Sequence, residues 1–256
     1  MAAPEGSATA DDWNRHWSAY QKTNTLNPAQ AYRRLLIFRA LDLARANPPI
    51  RLLELGSGQG DLSREIKERH PELELVGLDL SQTGVEIAQA KVPGATFFRQ
   101  SLTEPMALPE RYRSWATHAV CSEVLEHIDD PLLALQNARQ CLAPGARLVI
   151  TVPAGPVSAF DRHIGHRRHF TPAALAELVR SAGLGLHSLH GAGFPFFNLY
   201  RLMVVARGKK LVRDASLDRE LPLTARLVIQ AFSRLFRLNL SETQRGWQLV
   251  AIASEP

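Results

Sequence analysis

The stretch LLELGSGQGD, residues 52–61, decides the fold. A leucine-rich run ends in glycines at 56, 58 and 60, and a helical stretch, LSREIKER, follows at once. Glycines let the chain turn tightly and bring its backbone close to a ligand. The N–H groups at the start of the next helix point to the same place. A second apolar run, ELELVGLDL, carries Asp79 near its end. In a doubly wound sheet the ends of neighbouring strands share a crevice, and a carboxylate there accepts the hydroxyls of a ribose.

The glycine spacing narrows the ligand. A dinucleotide loop wants G-x-G-x-x-G, but the third glycine here comes one place early and position 61 is Asp. Reading from Gly58 fails as well, because position 63 is Ser. A pyrophosphate, and with it an NAD-dependent oxidoreductase, is disfavoured. The pattern E-x-G-x-G-x-G, from Glu54 to Gly60, fits a nucleoside without phosphates.

Working outward, strands are predicted at IRLLEL (50–55), ELELVGLDL (72–80), ATFFRQ (95–100), HAVCS (118–122) and RLVITV (147–152). LSREIKER, GVEIAQAK and PLLALQNARQCL read as helices between them, and LAPGA (142–146) as a turn stopping the last. Such alternation means βαβ units and a parallel sheet. Residues 28–46 form an amphipathic helix ahead of it. In FTPAALAELVRSAGL, Thr171 is the N-cap, Pro172 opens the helix and Gly183 stops it. LGLHSLHGAG and WQLVAIA supply two more strands. The expected organisation is an arm and helix over 1–46, a core over 47–194, a helical cap over 195–245 and a final edge strand over 246–256.

The chain has 256 residues, 45% hydrophobic and 21% charged, with a formal charge of +5. This is the composition of one globular α/β unit with additions. So small a positive balance suits a basic surface better than a nucleic-acid footprint. The two cysteines, Cys121 and Cys141, form no CxxC and fall in apolar contexts, which predicts buried reduced thiols and a cytoplasmic setting. MAAPEGSATADD lacks the features of a secretory leader, and no apolar run reaches the ~18 residues of a membrane span.

Two stretches carry candidate chemistry. SEVLEH leaves the fourth strand; Glu123, Glu126 and His127 share one face if a helix has begun there. DRHIGHRRHF, residues 161–170, follows the fifth strand and holds three of the nine histidines. Both lie off the carboxyl ends of strands and should meet in one crevice. Three roles compete. Glu123, Glu126, His127 and a later histidine suit a divalent metal such as Mg²⁺, Mn²⁺ or Zn²⁺. His127, His163 or His166 suits a general base. Otherwise the cluster is structural, or Arg162, Arg167 and Arg168 cradle an anion.

ELGSGQG, VGLDLS, AVCSEVLEHIDDP and LAPGARLVITVP, in that order over residues 50–153, resemble the class I S-adenosylmethionine-dependent methyltransferases. The resemblance implies a doubly wound, Rossmann-like, seven-stranded and mostly parallel sheet, with WQLVAIA as an antiparallel strand 7 at one edge. It implies S-adenosyl-L-methionine as cofactor. Gly56, Ser57, Gly58 and Gly60 would cradle its methionine and ribose, with Glu54 beneath the loop near the amino group. Asp79 would bind the ribose hydroxyls and Leu80 would lie against the adenine. Gln100, Ser101 and Leu102 would face the adenine; many relatives carry an Asp near there, where this chain has Ser101. Ser122 and Glu123 would border the methionine end. Tyr20, in the arm DDWNRHWSAYQ, would act as a lid contact.

E-x-x-E-H also resembles the metal motif of ubiquinone-biosynthesis O-methyltransferases and of enzymes that 2′-O-methylate small RNAs. His166 is then the positional match for the further ligand. The expected function is methyl transfer to a small-molecule acceptor, at oxygen, with Glu126 and the histidines as catalytic groups. An apolar or lipid-linked acceptor fits the basic, apolar insertion, which reads as a lid, a surface for lipid headgroups or a homodimer contact. An RNA 2′-O-methyltransferase and a non-catalytic S-adenosylmethionine-binding module are the alternatives.

Overall fold

The computed structural model describes residues 13, 14, 17, 27–215 and 223–256, with the side chains of 209–215 and 223–226 excepted. Helix α1 (Pro28–Leu41) starts at Asn27, whose side chain accepts the N–H of Ala29, and stops at Asp42 in the left-handed region. The core then alternates: β1 (Arg51–Leu55), α2 (Asp61–Arg69), β2 (Glu74–Asp79), α3 (Gln82–Lys91), β3 (Thr96–Arg99), β4 (Ala116–Ser122), α4 (Pro131–Arg139) and β5 (Leu142–Pro153). A one-turn helix α5 (Ala159–His163) precedes α6 (Pro172–Ser181), capped as expected by Thr171. Strand β6 (Gly185–Ala192) leads into α7 (Phe196–Ala215), kinked at Gly208, then α8 (Leu223–Leu235) and β7 (Gln248–Ser254).

The sheet runs β3-β2-β1-β4-β5-β7-β6. Strands β1 to β5 pair in parallel, and β7 runs antiparallel to both β5 and β6. This corrects the expectation that the last strand lies at the edge: the edge is β6. The reason is visible in the residues. QLVAIAS is apolar and buried along nearly its whole length, which suits an interior strand, whereas GLHSLHGA carries two histidines and stays half-exposed over most of its length.

LAPGA is not a turn either. It opens the long strand β5, where Gly145 takes a φ of 74° and the pairing with β4 shifts register between Ala116 and His118. The irregularity absorbs the extra residues that the sequence shows as Pro and Gly. Helix α4 already ends at Arg139, before it.

Apolar side chains cover both faces of the sheet. One cluster gathers Leu53, Leu78, Leu135, Leu148 and Leu175. The other gathers Ile37, Leu52, Ile66, Phe97 and Val149, and takes in Phe197, Phe232 and Phe236 from the C-terminal helices. Tyr32 of α1 stacks 5.6 Å from Phe197 and 5.5 Å from Phe236. The insertion is therefore welded to the N-terminal helix by aromatic packing, worth ~0.5–1.5 kcal/mol per pair beyond area burial. Both cysteines are buried and free. Among the described residues, no helix is long and apolar enough to cross a membrane.

Candidate active site

The glycine loop is held by β2. Gly56 and Ser57 both donate their N–H groups to the Leu78 carbonyl, each at 2.8 Å. Gly56 has a φ of 72°, and a Cβ there would fall 2.3 Å from a Val124 methyl, so only glycine fits. The Gly58 N–H donates to Asp79 Oδ2 at 2.7 Å and the Ser81 N–H to Oδ1 at 2.8 Å. Asp79 is buried, and burial raises its pKa despite these two bonds. Beneath the loop the Ser63 hydroxyl donates to Glu54, whose carboxyl burial pushes up to about 8.

Two tryptophans ahead of α1 pack over the site. The Trp17 indole lies over Gly58 and Gly84. Trp13 meets the His127 ring edge-on at 4.8 Å.

The second half hangs from β4 and β5. Residues 123–128 form a turn rather than the start of a helix: His127 N–H reaches the Val124 carbonyl, and α4 begins only at Pro131, capped by Asp130. Glu123 adopts a φ of 57°, uncommon for a residue with a Cβ. Its carboxylate turns to Arg33 of α1 at 3.2 Å and to the Gln248 amide at 2.8 Å. Glu126 goes the other way. It is fully buried, and neither of its oxygens accepts a hydrogen bond among the described residues. Burial raises its pKa well above the ordinary carboxylate range, and the Glu123 charge adds to the rise.

The histidine-rich segment closes over Glu126. The Arg167 N–H donates to the Glu126 carbonyl at 2.9 Å. His166 packs edge-on against His127, with centroids 4.6 Å apart. Glu126, His127 and His166 bring ligand-type atoms within 4.8 Å of one another. His166 Nδ1 lies 3.1 Å from His169 Nε2, and His169 Nδ1 lies 3.0 Å from the Gly155 carbonyl. Burial, with His127 adding, lowers the His166 pKa to about 2. Behind them Asp161 is clamped by Arg201 of α7 through two bonds, at 3.0 and 2.8 Å. Burial alone would raise the Asp161 pKa, but Arg201 draws it down to about 2.

A family model described as a methyltransferase domain matches residues 29–189. The chain belongs to this methyltransferase family. An uncharacterized 37.1 kDa protein in transposon TN4556 of Streptomyces fradiae is 34% identical over 163 residues, 63% of this chain and 46% of that one. The demethylmenaquinone methyltransferase of Thermus thermophilus is 36% identical over 125 residues, 48% of this chain and 56% of its own length. The chain thus spans about half the length of these two relatives. The ubiquinone biosynthesis O-methyltransferase of Aeromonas salmonicida is 26% identical, covering 59% of this chain and 70% of that one. Among solved structures, the [4+2]-cyclase SpnF superposes with a TM-score of 0.64 at 14% identity, covering 99% of each chain. Phosphoethanolamine N-methyltransferase 2 of Haemonchus contortus, in complex with S-adenosyl-L-methionine, gives 0.62 at 16% identity, over 99% of this chain and 62% of that one. These two likenesses show the fold.

The residues expected from the sequence divide. Glu54, Gly56, Ser57, Gly58, Gly60 and Asp79 gather at the ends of β1 and β2, and Leu80 is 49% exposed just beyond. Gln100 instead spends its amide on its own loop, donating to the Ser101 and Pro105 carbonyls and accepting the Ala107 N–H. Ser101 bonds Thr103, and Leu102 is buried in the core. The Ser122 hydroxyl is paired with Thr151. Tyr20 lies outside the described residues. His163 is exposed at the end of α5, away from the Glu126 group, because a turn at Gly165 separates it from His166. His169 and Arg201 were not singled out from sequence. The signals available were the 166/169 spacing and one arginine inside the apolar run FFNLYRLM.

The residues at the glycine loop fit the implied cofactor. Besides the glycines and the Asp79 carboxylate, the Ser57 hydroxyl is buried without a hydrogen-bond partner among the described residues. A buried polar atom left unmatched costs ~1–3 kcal/mol, so it marks a place where a ligand group completes the bonding.

Proposed function

We propose that this methyltransferase moves the methyl group of S-adenosyl-L-methionine onto an oxygen of a small, apolar acceptor. The observation that carries the reading is the opposition of two half-sites. The Asp79 carboxylate and glycine loop lie at the ends of β1 and β2, and the Glu126–His127–His166 group lies beyond β4 and β5. Asp79 takes the ribose hydroxyls on the lone pairs its two amide partners leave, and Glu54 lies under the methionine end. The cofactor supplies an activated methyl on sulfur, open to in-line displacement. The protein's share is alignment, which is worth up to ~7–11 kcal/mol of barrier.

The second half-site receives the acceptor. Glu126, His127 and His166 would hold a divalent cation, which lowers the pKa of a hydroxyl placed on it. The unmatched Glu126 carboxyl beside two imidazoles supports this. Glu123 is not part of that set, because Arg33 and Gln248 engage it. The name of the Aeromonas relative supports oxygen as the accepting atom. Leu199, Leu202 and Met203, exposed on the helix that carries Arg201, support an apolar or lipid-linked acceptor.

One fold hosts several chemistries, so turnover decides. The test is calorimetry with S-adenosylhomocysteine, followed by methyl transfer to a catechol-type quinol, with and without chelator. Micromolar binding and chelator-sensitive transfer are expected. No binding would overturn the cofactor assignment, and full activity in excess chelator would overturn the cation.

A further inference from the structure

The histidines behind the half-site form a directed chain, and its direction follows from one backbone carbonyl. Gly155 O can only accept a hydrogen bond. It lies 3.0 Å from His169 Nδ1, so that nitrogen carries a proton and donates. A neutral His169 then has a bare Nε2, which must accept from its neighbour 3.1 Å away, Nδ1 of His166. His166 therefore holds its proton on Nδ1, and its Nε2 is bare.

We propose that His169 is a positioning residue that locks His166 as the Nδ1–H tautomer and leaves Nε2 of His166 available to the Glu126–His127 group. Isolated imidazole rings favour no such arrangement by themselves; a second partner on the far nitrogen sets it. The same device orients metal-bound histidines, whose other ring nitrogen donates to a fixed acceptor. The assignment rests on the function proposed above only for its consequence, not for its geometry.

Asp161 completes the device from below. It lies 3.8 Å from His169 Nε2, too far for a hydrogen bond. Its two oxygens are already taken by Arg201 and by the Ser158 N–H at 2.7 Å. Asp161, His166 and His169 also bring ligand atoms within 4.8 Å. With the carboxylate clamped by a guanidinium and one imidazole tied to Gly155, that trio is a support and not a second cation site. Arg201 stands on α7 and Asp161 on α5, so the C-terminal insertion reaches the half-site through this ion pair. Among the described residues, no carboxylate comes within hydrogen-bond reach of His169 Nε2 to hold a second proton there, in keeping with a neutral ring.

The test reads the tautomer directly. Histidine-labelled protein is examined by ¹⁵N-edited NMR, with His166→Asn used to assign the signals. The Nδ1–H pattern for His166 is expected in wild type. His169→Gln should keep it, because a glutamine amide can donate to Gly155 and accept from His166. His169→Leu should convert His166 to the Nε2–H form. With a quinol acceptor, His169→Leu should lower kcat roughly 10–100-fold with cofactor Kd unchanged, and His169→Gln should restore most of it. An Nε2–H pattern in wild type, or an unchanged tautomer in His169→Leu, overturns the assignment. Absence of methyl transfer with the tautomers as stated would overturn the acceptor reading and leave the positioning role standing.

Discussion

The Glu126 carboxyl lies 4.0 Å from Nε2 of His127, fully buried, and neither of its oxygens accepts a hydrogen bond among the described residues. A carboxyl kept there without partners costs stability, on the order of 1–3 kcal/mol. Costs of this kind cluster at functional sites, in keeping with the role proposed for Glu126. Glu126→Gln should therefore leave the melting temperature unchanged or raise it by up to a few degrees, at ~2–4 °C per kcal/mol for a chain near this size. It should also abolish Mn²⁺ binding and lower kcat at least 100-fold. Thermal melts paired with metal titration check this. A variant that melts much lower while keeping its activity would make Glu126 a structural group.

Asp79 braces the loop and, in the proposed site, also takes the ribose of the ligand. Its two oxygens hold the Gly58 and Ser81 N–H groups, so Asp79→Ala leaves two amides without their acceptors. A stability loss of roughly 2–4 kcal/mol is expected from this alone. Loss of the ribose contacts should weaken S-adenosylhomocysteine at least 100-fold, measured by calorimetry below the variant's melting temperature. An affinity within threefold of wild type would show that the carboxylate only braces the loop.

Glu54 gives the fold a pH dependence. Burial raises its pKa to about 8 from an ordinary value of 4.5. The folded protein thus keeps a proton that the unfolded chain gives up. Glu54 contributes its full stability below about pH 4.5, and that contribution is lost as pH rises toward 8. The slope approaches ~1.4 kcal/mol per pH unit within that window, so roughly 2–3 kcal/mol should disappear between pH 6 and pH 8. Glu54→Gln, which can still accept from Ser63, should flatten this part of the stability curve. Chemical denaturation at the two pH values is the measurement; parallel wild-type and variant curves would refute the assignment.

Much of this architecture was legible because it is local. The glycine loop, Asp79 and the strand–helix alternation each follow from short-range periodicity and turn chemistry, and every predicted core strand has its counterpart. The place of β7 was not legible, because pairing partners are chosen across the whole chain. The face shared by Glu123 and Glu126 failed for a backbone reason: a φ of 57° at Glu123 sends its side chain to Arg33. His169 rather than His163 joins the cluster because Gly155, at the exit of β5, offers its carbonyl there. Arg201 reaches Asp161 from a helix forty residues on in the chain, a contact that no local pattern encodes.

Gly56 separates conformational strain from collision. Its φ of 72° disfavours any residue with a Cβ, at roughly 1–2 kcal/mol. A Cβ would also meet Val124 Cγ2 at 2.3 Å, closer than real contacts allow. Gly56→Ala should thus destabilise by more than strain alone, on the order of 3 kcal/mol. Val124→Ala removes the opposing methyl at a cost of about 1 kcal/mol. The double variant should be more stable than the sum predicts, with a favourable coupling of roughly 1–2 kcal/mol, because the two sites touch. It should still fall short of Val124→Ala, because the φ penalty has no partner to relieve it. A double-mutant cycle by urea denaturation measures both parts. Strict additivity would mean that the loop moves away from Val124 freely, and the close approach of the turn after β4 to the glycine loop would then not be what holds that loop in place.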